Sequence, residues 1–427
     1  MKHGKGWKLC LVAAVVLAGL GTWAHLAAQA GGAAGAAGAA AASAGDWATY
    51  RGPNANGISN EKGWSSSWTA APKEVWKASV GKGYSSVAVA GGKVYTMGNA
   101  TGKEDTVWCL DAKASDGGKA KVIWQKSYAC GSAKDNPGPR ATPTVDGELV
   151  YTISRQGHIN CWDAAKGDLK WSRNAVKDYG CKVPTWGFSG SAVVIGDEVI
   201  FELGKVLALN KKDGNRTWES PTLRKSGYAG VAPLTVGDKK CLAGFSGEGL
   251  AVVEMGTGKE VSFFPWKTAY DVSAATPLIS GDKVFISTGY GTGCALVDPA
   301  TGKSDWTNKK MCNHCATCVL SDGFLYGFNG QAGPGGALVC MDIKDGSVKW
   351  EHKGLGTGSV LIADGKLILQ GATGDLAIAE VNPKEYKELA KAKPLSGECW
   401  TQAVLSSGMI YCRNTDGDLV ALDVSGK

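Results

Sequence analysis

The feature that most restricts how this chain can fold is a spaced triplet. An acid or amide is followed four residues later by glycine, and four residues after that by tryptophan. It occurs at Asp163/Gly167/Trp171, Asn210/Gly214/Trp218, Asp298/Gly302/Trp306 and Asp342/Gly346/Trp350. Each triplet closes a longer unit, of which "ATPTVDGELVYTISRQGHINCWDAAKGDLKW" is representative. In that unit, turns at Asp146-Gly147, Gly157 and Gly167 separate four short runs that alternate apolar and polar residues. Alternation with period two between tight turns describes four antiparallel strands.

The units can be aligned on the residue eight positions before the end of each second strand. Those residues are Val87, Pro143, Ala192, Pro233, Pro277, Cys318, Val360 and Ala403, spaced 41 to 56 residues apart. A four-stranded sheet of this size cannot bury both faces alone, so neighbours must stack, and a repeat of about 40 to 45 residues marks a β-propeller. Helical solenoids are excluded because the periodicity within a unit is two and not 3.6. The expectation is an all-β, eight-bladed β-propeller with four-stranded antiparallel blades. Seven blades would result if the irregular seventh unit, with Tyr386 near the tryptophan position, failed to form. The fourth unit also departs, with Ser262 at that position and Trp266 just beyond.

The eighth unit runs to "GDLVALDVSGK" with only three strands, whereas "PKEVWKASV", carrying Trp76, stands unpaired before the first unit. Pairing Trp76 alongside residues 417–423 would close the ring and remove the exposed edge of an open sheet.

Residues 1–30 read as a signal peptide. Lys2, Lys5 and Lys8 precede the apolar run "LCLVAAVVLAGL" and small residues ending at Ala28 and Ala30. Retention as an uncleaved anchor is the alternative, although the apolar stretch is shorter than the roughly 20 residues a membrane span needs. Residues 31–45, Ala/Gly-rich, read as a linker, and the folded part as residues 46–427. Removing three leader lysines and no acids takes the formal charge from +7 to +4. So small and dispersed a surplus excludes a nucleic-acid footprint. The expected location is periplasmic or secreted, with membrane association if the leader is retained.

The unit "VYTISRQGHINCWDAAKGDLKW", the opening stretch "DWATYRGPNANGIS", and "DGFLYGFNG" and "GTGSVLIADGKLIL" resemble the pyrroloquinoline-quinone-like repeat propellers. The resemblance covers residues 46–427. It implies the fold and leaves the activity open, because that family includes quinone-dependent alcohol dehydrogenases, scaffold lipoproteins and exported proteins of other roles. The dehydrogenase branch would imply pyrroloquinoline quinone, calcium and an adjacent-cysteine disulfide. The sequence holds neither a Cys-Cys pair nor a C-x-x-C-H haem motif, so no catalytic residue is carried over. The favoured reading is a non-catalytic module that binds a small molecule or a protein partner and needs no cofactor; the alternative is a quinone-dependent alcohol or polyol dehydrogenase.

Connections from each outer strand to the next inner strand should surround the axial funnel. They carry Arg140, Trp186, Tyr228, Asp271, His314, Thr357 and Trp400, a set able to clamp a small anionic or planar ligand. The stretch "MCNHCATC" groups Cys312, His314, Cys315 and Cys318, soft ligands for zinc or copper. Alternation along a strand sends them to opposite faces, and no metal is assigned. Cys130 and Cys181 lie in successive connections on the same rim and form the candidate disulfide of an exported protein.

Overall fold

The computed structural model describes residues 45–426. The expected leader and all but one residue of the linker lie outside the described residues. Within them the strands group into eight four-stranded antiparallel blades. Blade 1 comprises Ala88–Ala90, Lys93–Gly98, Glu104–Asp116 and Lys119–Ala129. Blades 2 to 6 follow with one repeat each, from Thr144–Asp146 to Val348–His352. Blade 7 comprises Ser359–Ala363, Lys366–Gln370, Leu376–Glu380 and Glu388–Ala392, so the irregular seventh unit forms a full blade and the seven-bladed alternative falls.

Blade 8 is assembled from both ends of the folded part. Val404–Ser406, Met409–Arg413 and Asp418–Asp423 supply three strands, and Lys73–Ser79 supplies the outermost. Trp76 stands opposite Ala421, and Ser79 opposite Asp418, in an antiparallel register. The ring closes as the unpaired strands required.

The spaced triplet proves to be a lock between blades. Its acid caps the turn: Asp163 Oδ1 accepts the N–H groups of Ala165 and Lys166, and the Gly167 N–H closes onto the Asp163 carbonyl at 2.8 Å. The glycine has positive φ, 71° at Gly167, and does something more. A Cβ there would lie 2.6 Å from the Trp124 ring of the preceding blade, and at Gly214 it would lie 2.6 Å from Trp171. Trp124 and Trp171 thus fill the space their neighbour's glycine leaves open, whereas Trp218 bonds the Glu198 carboxylate of its own blade at 2.9 Å.

At the other junctions the indole donates to a carbonyl just beyond the next blade's acid or its equivalent. Trp124 reaches Ala164, Trp171 reaches Lys211, Trp306 reaches Ile343, Trp350 reaches Asn382, and Trp76 reaches Ala112 across the closing seam, at 2.8–3.1 Å. In blade 4 the Ser262 hydroxyl takes over this bond, donating to Pro299 at 2.6 Å. The departure in sequence is therefore a substitution of donor.

The segment ahead of the first blade crosses the ring on the side of the first hairpin turns. Trp47 bridges to Val89 of blade 1, and the Ala48 carbonyl accepts from Val145 of blade 2. Arg51, only 5% exposed, donates to the carbonyls of Thr317 and Cys318 beside blade 6. Ile58–Ser59 then pairs in parallel with Ile362 and Ala363 of blade 7, and the Glu61 carboxylate takes the Ser407 and Gly408 N–H groups of blade 8. This segment spans the axis and brings Tyr50 into the floor of the funnel.

Candidate functional site

The opposite end of the axis holds a cavity of about 240 Å3. The connections between blades build it, six of the eight delivering a large side chain. Tyr84 comes from the connection between blades 8 and 1, Arg140 from that between 1 and 2, and Trp186 from that between 2 and 3. Tyr228 follows from 3 to 4, His314 and Cys315 from 5 to 6, and Trp400 from 7 to 8. Tyr50 lies beneath them.

Five of the seven residues expected at the rim therefore share this cavity: Arg140, Trp186, Tyr228, His314 and Trp400. Two do not. Asp271 turns outward and pairs with Lys225 at 3.0 Å. Thr357 is buried, with its hydroxyl donating to Gln331 and Gly333 carbonyls, and lines only a small side recess. Tyr84 was within reach of the sequence, since it stands three residues before Val87, in the connection leading into the first unit. Tyr290 and Tyr50 had no such signal. Tyr290 lies in the turn after the second strand of blade 5, and Tyr50 lies ahead of the repeats.

The aromatics form two arcs. Trp186 packs on Tyr228 with centroids 6.1 Å apart and meets Tyr270 edge-on at 5.6 Å; Tyr270 continues to Tyr290 at 5.5 Å, and Tyr290 to His314 at 5.0 Å. Trp400 packs on Tyr84 at 5.5 Å, with the Arg140 guanidinium over the Tyr84 ring at 5.5 Å. In an eight-bladed ring the 7–8 junction stands opposite the 3–4 junction, so Trp400 and Tyr228 face each other across the cavity.

One positive charge stands in this wall. Arg140 donates to the Gly138 carbonyl at 3.1 Å and to the Asn136 carbonyl at 2.6 Å, and neither partner is a carboxylate. Burial and the nearby Arg155 charge lower its pKa to about 10, which leaves it protonated at neutral pH. The other titratable groups are neutral there. Burial drives His314 down to about 4 and Cys315 up to about 12. The Ala332 N–H donates to His314 Nδ1 at 3.1 Å, and the Gln331 side-chain amide nitrogen lies 3.1 Å from Nε2. The thiol of Cys315 lies 3.5 Å from that Nδ1 but, held protonated, has little nucleophilic character.

The cysteine-rich stretch splits, but not by strand alternation, because residues 311–318 form an irregular connection ahead of the strand that begins at Val319. Cys318 enters the core between blades 5 and 6 and Cys312 is buried with its thiol against the Lys309 carbonyl, while His314 and Cys315 face the cavity. Among the described residues no group of three or more His, Cys, Asp or Glu side chains is placed to hold a metal ion. The expected Cys130–Cys181 disulfide is not formed; both thiols are free and buried. Cys130 sits against Asp105 and Ser154, whereas Cys181 belongs to the core between blades 2 and 3, so each is satisfied in its own packing.

Residues 58–308, more than half of the chain, match the family model described as outer membrane protein assembly factor BamB. The chain belongs to this PQQ-like propeller family. Among solved structures it is similar to BamB from Moraxella catarrhalis, at 15% identity and a TM-score of 0.59, covering 83% of this chain and 98% of that one. It is also similar to two quinohemoprotein alcohol dehydrogenases, ADHIIG of Pseudomonas putida HK5 (13% identity, TM-score 0.65) and that of Comamonas testosteroni (12%, 0.66). Each covers 90% of this chain and 81% of the relative. At such identities the likeness is one of fold. No curated protein sequence matches the chain. No helix among the described residues is long and apolar enough to cross a membrane.

The dehydrogenase branch implies calcium and a quinone. Calcium takes six to eight oxygen ligands, carboxylates foremost. No aspartate or glutamate lines this cavity, so its residues do not fit a calcium-held quinone.

Proposed function

We propose that this is an exported propeller that binds, without transforming, a small planar anion in its axial funnel. The observation that carries the reading is the cavity wall itself: opposed aromatic arcs and, among the described residues, no carboxylate in the lining and no acidic partner for the cation of Arg140. Aromatic rings prefer offset or edge-on contact with a second ring, and a desolvated guanidinium favours a carboxylate. The neutral His314 and Cys315 add neither a base nor a thiolate, which suits binding better than turnover.

The test compares benzoate with benzamide, equal in shape and different in charge, by tryptophan fluorescence on the full chain. Benzoate should bind at least about ten-fold more tightly, a difference of about 1.4 kcal/mol, and Arg140→Gln should abolish the preference. Equal binding of the two by the wild-type protein would refute the reading.

A further inference from the structure

The aromatic surface does not stop at the cavity. Tyr270 is 64% exposed, the most exposed of the large apolar side chains given for the described residues, and it stands on the rim between blades 4 and 5. It touches two cavity-lining rings at once, Trp186 edge-on at 5.6 Å with planes at 74°, and Tyr290 at 5.5 Å with planes at 58°. Burial does not explain its position, since nothing covers it.

Backbone geometry supplies an independent observation. Tyr270 and Tyr290 have φ of 59° and 55°, in the left-handed region where a bulky side chain is an outlier. Among the described residues they are the only aromatics with positive φ, and both stand at the funnel mouth. The remaining non-glycine positions of this kind include Asn and Asp, which tolerate it. Strain of this sort persists where surrounding contacts over-determine it, and it concentrates at binding sites. Here the Asp271 carboxylate, also left-handed, is held by Lys225, and the Tyr290 N–H is held by Gln331 Oε1 at 2.9 Å.

We infer that Tyr270, with Trp186 and Tyr290, forms a second subsite at the mouth, and that the ligand is an aromatic acid with two ring units. Its anionic ring lies in the cavity near Arg140, and its second ring rests on Tyr270. The inference rests on the proposed binding of a planar anion and adds the length and chemistry of that ligand. The tilted and edge-on packing of the three rings exposes both ring faces and ring edges, a surface that suits another aromatic ring.

The experiment adds biphenyl-4-carboxylate to the benzoate titration, since the two share a head and differ by one ring. Wild-type protein should bind the biphenyl acid about ten-fold more tightly than benzoate. Tyr270→Gly removes the ring and relieves the left-handed strain, and it should erase most of that gain. Tyr270→Phe should retain the gain. Equal affinities for the two acids, or a gain that survives Tyr270→Gly, overturns the subsite while Arg140-dependent benzoate binding still stands. Binding of both acids that is indifferent to Arg140→Gln instead overturns the underlying reading, failure of the biphenyl acid alone to bind overturns the subsite, and failure of both acids to bind the wild-type protein overturns both.

Discussion

Two regions of this ring bury an arginine, and they treat it differently. At the seam between blades 8 and 1, Arg413 is 1% exposed, and its guanidinium donates to the carbonyls of Ser85, Met97 and Gly81 and to the Thr96 hydroxyl. These acceptors come from the first blade and the connection into it, so the side chain stitches the last repeat to the first. At the funnel, Arg140 is half-buried, uses two carbonyls of its own loop, and turns toward a cavity. A cation surrounded by acceptors is structural. One that is desolvated yet lightly bonded remains available to a ligand.

The sharpest way to break this comparison is to remove both charges and compare stability. Arg413→Met would leave buried carbonyls without donors and should cost about 3 kcal/mol or more in denaturant unfolding. Arg140→Gln should change stability by less than about 1 kcal/mol while removing the preference for benzoate. A stable Arg413→Met variant would show that the seam does not depend on its cation.

A third buried group tests whether the ring's junctions need charge at all. Glu202, between blades 3 and 4, accepts the N–H groups of Gly204 and Gly227, and burial raises its pKa to about 8. Between the ordinary value of 4.5 and about 8, the folded chain keeps a proton that the unfolded chain has lost. Stability from this residue is therefore fully present below 4.5 and declines as pH rises through that window. Glu202→Gln should match wild type in melting temperature at pH 4.5, exceed it at pH 9, and flatten the slope between. A variant that melts in parallel with wild type at every pH would mean that the acid is ionised in place.

The smallest expected effect is at the mouth. With His314 held neutral down to about 4, benzoate affinity should be flat from pH 5.5 to 8, where an ordinary imidazole would titrate. An inflection near pH 6.5 would place a charged histidine beside the ligand.

Much of the fold was legible because one residue pattern performs one mechanical task in each blade. The glycine of Asp163/Gly167/Trp171 leaves room for Trp124, and Trp171 in turn fills the space at Gly214. Such a lock recurs at most of the junctions between blades, so it appears as a period in the sequence. The site was legible only in part, because it is built from what differs between repeats. Their place in the connections between repeats located Arg140, Trp186, Tyr228, His314 and Trp400. It misplaced Asp271, where left-handed residues turn the carboxylate outward, and Thr357, which a neighbouring hairpin at Gly333 absorbs. Tyr50 belongs to no repeat, and only the tertiary crossing of the axis brings it to the cavity.

That crossing has a bearing on the order of assembly. Arg51 is made early, yet its acceptor at Thr317 lies 266 residues later, and the Gly408 amide that meets Glu61 lies 347 residues later. Contacts so distant in sequence are slow to form, because the intervening chain must first be organised. The earliest residues of the folded part are therefore among the last to be seated, like a keystone quarried first and set when the arch is up.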